Sequence, residues 1–88
     1  MYVIYGRPGC RWCVSATRLA YDAGVSFDYI DISENQEAFE FITEKIKAET
    51  VPVIFHAAGS VRLIGGFDEF KAELQDTDPK KDVPENDT

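Results

Sequence analysis

The chain has one histidine and two cysteines, so side chains that ligate transition metals are scarce among its 88 residues. Closed zinc sites take four Cys or His ligands, and one thiol pair with the solitary His56 supplies too few. Basic residues are few as well: nine Lys and Arg stand against sixteen Asp and Glu, for a formal charge of -7 and a pI near 4.5. A surface of that sign repels phosphate backbones, and no run of Lys or Arg builds a local patch, so nucleic acid is not an expected partner. No apolar stretch has the length of a membrane span, and the opening Met1–Gly6 is too short for the apolar region of a secretory signal. The expected setting is therefore cytoplasmic and away from membranes. With 44% hydrophobic and 28% charged residues the composition is that of one folded domain rather than a disordered chain.

Against these absences Cys10-Arg11-Trp12-Cys13 stands out, because it lies where the apolar run Tyr2-Val3-Ile4-Tyr5 ends and a helical pattern begins. A disulfide across so short a loop stabilises little, and a reducing cytosol would keep it open, so a purely structural bridge explains the pair poorly. Three readings remain: a redox pair, half of a metal site, or two small buried hydrophobes. The amides of a helix's first turn lack intrahelical partners and carry partial positive charge. A thiolate at Cys10 would be stabilised there, and Arg7 and Arg11 add cationic charge nearby, which together lower a thiol pKa and favour disulfide exchange. Cys13, one turn further in, is expected to face the core.

Gly6-Arg7-Pro8-Gly9 breaks the first strand. From Trp12 to Ala23 the residues Ala16, Leu19, Ala20 and Ala23 recur at helical spacing, with Gly24 as terminator. Val25 to Ile32 reads as a second strand, and strand, helix, strand in about thirty residues implies a parallel crossover. Ser33-Glu34-Asn35-Gln36 fits a capping box, with Phe39, Ile42 and Ile46 lining the helix that follows. Val53-Ile54-Phe55 and Val61-Arg62-Leu63-Ile64 read as an antiparallel hairpin around Ala57-Ala58-Gly59-Ser60. Phe67-Asp68-Glu69-Phe70 then opens a last helix ending near Gln75. Residues 1–75 form the expected domain, and Asp76 to Thr88, charged and with two prolines, reads as an acidic, disordered tail. Tyr2, Tyr5, Phe27, Tyr29, Phe39 and Phe55 are read as packing residues and His56 as a partly covered strand residue. Trp12, between the cysteines, is expected to be partly exposed.

Gly6-Arg7-Pro8-Gly9-Cys10-Arg11-Trp12-Cys13, Glu49-Thr50-Val51-Pro52 and Ile64-Gly65-Gly66-Phe67-Asp68 resemble, in order and spacing, the three signature segments of dithiol glutaredoxins. The resemblance spans Tyr2 to about Gln75 and implies an α/β, thioredoxin-like fold: a four-stranded mixed sheet flanked by three helices, ordered β-α-β-α-β-β-α. It also implies a cis bond before Pro52. Glutathione is the implied reducing co-substrate, with Arg7, Trp12, Thr50, Val51, Pro52, Gly66, Phe67 and Asp68 around it and no metal. Val51 would offer its backbone to the peptide, and Arg7 would take the glycyl carboxylate. Amides at Gly66, Phe67 and Asp68 would take the γ-glutamyl carboxylate, and Asp68 or Glu69 its ammonium. The plain structural reading of Asp68 is a helix N-cap.

The implied function is glutathione-dependent thiol-disulfide exchange by a monomer on protein disulfides and glutathione mixed disulfides. Cys10 attacks, Cys13 resolves, and ribonucleotide reductase is a candidate client. Arg-Trp replaces the family's usual Pro-Tyr, so its typical redox potential does not transfer; Arg11 should make the site more oxidising. Two alternatives are a redoxin reduced by thioredoxin reductase, whose usual Trp-Ser-Gly-Phe segment is absent, and an iron-sulfur carrier ligated through Cys10 and glutathione, against which Arg11 and Trp12 would crowd the interface.

Overall fold

A computed structural model describes residues 1–76. The first strand, β1 (Tyr2–Gly6), alternates its side chains between two faces, with Tyr2 and Ile4 buried on one and Val3 and Tyr5 half-buried on the other. It is one of the two inner strands of the sheet, covered on both faces. β2 (Phe27–Asp31) pairs parallel to it from Tyr2 opposite Phe27 to Gly6 opposite Asp31, and β3 (Val53–Ala58) pairs antiparallel on its other side. With β4 (Ser60–Gly65) the order is β2-β1-β3-β4, the mixed four-stranded sheet expected from the sequence.

Helix α1 (Arg11–Ala23) supplies the crossover between β1 and β2. Its buried positions, Cys13, Ala16 and Ala20, are all small, which lets the helix lie close to the sheet. Gly24, at φ 75, closes it in the left-handed conformation that glycine adopts without a Cβ penalty. α3 (Phe67–Asp76) packs on the same face, where Phe70 and Leu74 join Tyr2, Ile4, Ala16, Ala20 and Ile54 in one apolar cluster. A second cluster on the opposite face joins Ile32, Ala38, Ile42, Val53 and Phe55, covered by α2 (Gln36–Glu40). Among the described residues no helix is long and apolar enough to cross a membrane.

The second helix departs from expectation in three ways. Asn35, not Ser33, is its N-cap, its Oδ1 accepting the Ala38 amide at 3.0 Å. Ser33 is instead drawn back to Asp31, whose Oδ1 accepts both its amide and its hydroxyl. Ile42 and Ile46 face the core as expected, joined by Ala38 and Phe41, whereas Phe39 is 46% exposed and drops out of the buried stripe. The helix also widens into a π-type turn over Phe41–Lys45, ended by Lys47 at φ 64 and an Ala48 amide bonded to the Ile42 carbonyl. Tyr29, read as packing, is 41% exposed because β2 is an edge strand.

The hairpin is tighter than the sequence suggests, since β3 runs to Ala58 and only Gly59, at φ 82, separates it from β4. Near its far end Ile54 pairs with Gly65 and Phe55 with Leu63, which leaves Ile64 as a bulge. Bulges bend a strand, and this one turns the chain into Gly65-Gly66 and α3. Asp76, the first residue read as tail, closes α3; the rest of that segment lies outside the described residues.

Candidate active site

β1 and α1 are joined by a short loop in which Gly9, at φ 77, makes the turn. That turn puts Cys10 at the N-cap of α1, a place usually held by a side-chain oxygen. Here sulfur does the work: the Cys13 amide donates to Cys10 Sγ at 3.1 Å. The two cysteines form a disulfide, their Cα atoms 5.2 Å apart. Cys10 is half-buried, whereas Cys13 is 1% exposed. An incoming thiolate or disulfide therefore meets Cys10 first.

Across from the disulfide the Val51–Pro52 bond is cis, as the resemblance implied, and the Val51 carbonyl oxygen lies 3.6 Å from Cys10 Sγ. Trp12 is 52% exposed and leans on Phe67, the ring centres 5.3 Å apart. Trp12, Thr50, Val51, Pro52, Gly66, Phe67, Asp68 and Glu69 line a groove of about 330 Å³. Seven of these eight belong to the three signature segments of the sequence, and the eighth, Glu69, directly follows the last of them. Arg7 lies in an adjoining cavity of about 130 Å³ that shares Thr50 and Val51 with the groove. The cationic end and the α3 end are thus arranged on either side of the cis bond, with Cys10 beside it.

One expectation fails at α3. The Gly66 amide is not open to a ligand, because Glu69 Oε1 accepts it at 2.9 Å. Gly66 is the residue before the helix, and Glu69 reaches back to it as the third residue of a capping box does. Asp68 is accordingly not the N-cap. Gly65 makes room for this contact: a Cβ there would lie 2.9 Å from Glu69 Cγ, whereas one on Gly66 would sit at an ordinary 3.5 Å from Oε1. The first-turn amides of Phe67 and Asp68 retain no intrahelical partner. The groove then presents two carboxylates, Asp68 and Glu69, and no cation of its own.

His56 stays away from the sulfurs, stacked on Tyr2 with ring centres 4.5 Å apart and 3.4 Å from an Arg62 nitrogen. Among the described residues no three His, Cys, Asp or Glu side chains gather as a metal group. The residue the sequence reading missed is Tyr29. Its hydroxyl lies over Gly6, next to Cys13. Burial first, and the Asp31 carboxylate second, push its phenol above the ordinary tyrosine value. Nothing in a β-strand pattern marks such a contact, which depends on a glycine in the neighbouring strand.

A β2-β1-β3-β4 sheet with a Cys-x-x-Cys at the start of α1 and a cis-proline facing it defines a thioredoxin-like thiol-redox protein. The glutaredoxin family model matches residues 2–61. The glutaredoxin of Haemophilus influenzae is 35% identical over 81 residues, covering 84% of this chain and 90% of that protein. The solution structure of glutaredoxin from Brucella melitensis superposes with a TM-score of 0.69 at 32% identity, covering 86% of this chain and 79% of that one. The chain belongs to the glutaredoxin family of thiol oxidoreductases. It is also 43% identical over 51 residues to the gene 56 protein of Mycobacterium phage D29; the match covers 58% of this chain and 57% of that relative, so it spans little more than half of its length.

Proposed function

We propose that this chain is a glutathione-dependent thiol-disulfide oxidoreductase acting on glutathione mixed disulfides and on protein disulfides. The observation that carries the proposal is the position of Cys10 Sγ, capped by the Cys13 amide and 3.6 Å from the Val51 carbonyl oxygen at the edge of a peptide-sized groove. In the reduced protein that amide and the helix start favour the thiolate at Cys10. The thiolate attacks the glutathione sulfur of a mixed disulfide, a Cys10–glutathione bond forms, and the client leaves as a thiolate that takes a proton from water. A second glutathione thiolate then attacks that glutathione's sulfur, oxidised glutathione departs, and Cys10 regains its electron pair. With a protein disulfide, the Cys10 thiolate attacks one client sulfur and the other leaves as a thiolate. The Cys13 thiolate then attacks Cys10 Sγ, the Cys10–Cys13 disulfide closes, and the client's second sulfur leaves, so that after protonation by water the client is a dithiol.

In this reading the cysteinyl backbone of glutathione pairs with Val51, its glycyl carboxylate lies toward Arg7, and its γ-glutamyl end lies at the Phe67 and Asp68 amides. The protein works as a monomer in the cytoplasm, with glutathione as co-substrate, no resident metal, and ribonucleotide reductase among its clients. One observation favours a second reading. The two carboxylates in the groove, with Glu69 on the Gly66 amide, weaken a ligand that itself carries two carboxylates. That favours reduction of the Cys10–Cys13 disulfide by thioredoxin reductase. Parallel NADPH-coupled assays separate the two: turnover with glutathione and glutathione reductase, and none with thioredoxin reductase alone, is the expected outcome. The opposite pattern refutes glutathione dependence.

A further inference from the structure

The resolving sulfur has surroundings of its own. Cys13, 1% exposed, borders a second cavity, of about 210 Å³, lined also by Val14, Thr17 and Tyr29. Gly6, the buried end of β1, is the spacer between them. A Cβ built there would collide with the Tyr29 hydroxyl and lie 2.9 Å from Cys13 Sγ. The phenol oxygen and the sulfur therefore share a space the size of one methyl group, which only glycine leaves open. The other hydroxyl of the cavity is spent, since Thr17 Oγ1 donates to the Val14 carbonyl at 2.8 Å and lies 3.3 Å from that of Cys13.

From the division of labour between Cys10 and Cys13 stated above, we infer that Tyr29 is the hydrogen-bond donor that solvates the Cys13 sulfur whenever it carries charge. When a thiolate attacks Cys10 Sγ of the oxidised protein, the new disulfide forms at Cys10 and the Cys10–Cys13 bond breaks. The electron pair of that bond goes to Cys13 Sγ, buried among apolar side chains, where an unsolvated anion is costly. The Tyr29 hydroxyl donates to it until water protonates it. In the reverse step the Cys13 thiolate, freed of its proton to water, attacks Cys10 Sγ of the mixed disulfide; the internal disulfide closes and the client thiolate leaves with the electron pair. The groups facing the sulfur and the phenol are few. Val14 and Thr17 come from α1 and Gly6 from β1, all uncharged, and Asp31 on β2 acts through space while its Oδ1 is held by Ser33. Because that carboxylate and burial both raise the Tyr29 phenol, it keeps its proton at neutral pH and remains a donor.

The test is Tyr29→Phe, which keeps the ring over Gly6 and removes only the donor. The oxidised protein is opened with dithiothreitol, and the emission of Trp12, the only tryptophan, follows the reaction. A donor to an ionised sulfur is worth about a factor of ten in that rate, and the apparent pKa of the Cys13-dependent closing step is expected to rise. In a Cys13→Ser background the same change should leave the rate of Cys10 alkylation by iodoacetamide unaltered. An unchanged opening rate, an unshifted pH profile, or an equal loss in the Cys13→Ser background overturns the inference. None of these readouts uses glutathione, so failure of the glutathione-linked turnover above is a separate result.

Discussion

Replacing Glu69 by Gln should tighten glutathione binding rather than weaken it. Glu69 holds the Gly66 amide at 2.9 Å with a full negative charge, at the end of the groove where the γ-glutamyl carboxylate is proposed to lie. Gln keeps an oxygen for that amide and removes the charge. Two unit charges about 4 Å apart repel by roughly 4 kcal/mol at an effective dielectric constant near 20. Glu69 is solvent-exposed, so screening reduces the repulsion to about 1 kcal/mol. That corresponds to an apparent KM for glutathione about fivefold lower, with kcat unchanged because the charge is remote from the sulfurs. The loss of a favourable charge at the start of α3 should lower stability by only about 0.5 kcal/mol. The assay is NADPH-coupled turnover at low ionic strength, repeated near 1 M salt, where the difference should shrink because the Debye length falls to about 3 Å. An unchanged KM would refute the electrostatic reasoning, and a raised KM would make Glu69 a ligand for the γ-glutamyl ammonium.

Three further outcomes follow from the same geometry. Cys10→Ser should abolish all turnover, whereas Cys13→Ser should keep deglutathionylation and lose reduction of protein disulfides; activity without Cys10 would refute the assignment. Arg11→Pro should make the Cys10–Cys13 couple more reducing by removing a cation next to the Cys10 thiolate, measured by equilibration with glutathione or dithiothreitol buffers; no shift, or a shift toward a more oxidising potential, contradicts this. Phe70→Ala should cost about 3 to 5 kcal/mol, since the ring is fully buried edge-on against Tyr2, with centres 5.1 Å apart. In a domain of this size that lowers the thermal midpoint by about 15 °C or more, and a loss below about 1 kcal/mol would show that the core does not depend on it.

What could be read from the chain were features that local chemistry writes into adjacent residues. The strand-to-helix junction at the cysteines, the Gly24 stop and the Val53–Ile64 hairpin each announce themselves by pattern, and each is present. The groove was legible because three signature segments named seven of its eight residues. What was not legible depends on choices between neighbours. Ser33 and Asn35 are both good caps, and Asp31, by holding Ser33, decides in favour of Asn35. Glu69 was visible as an acidic residue in the first turn of α3, but its hold on the Gly66 amide needs the room that Gly65 leaves. Tyr29 was hidden because its approach to Cys13 lies across the missing side chain of Gly6 on another strand.

The most direct test of the central claim is the amide NMR spectrum of Cys13→Ser protein before and after exposure to oxidised glutathione. That variant traps the adduct at Cys10. One glutathione per chain is expected, with shifts concentrated at Val51, Phe67 and Asp68 and along the path to Arg7. Failure to form the adduct, or an adduct whose shifts lie away from the groove beside the Val51–Pro52 bond, would contradict it.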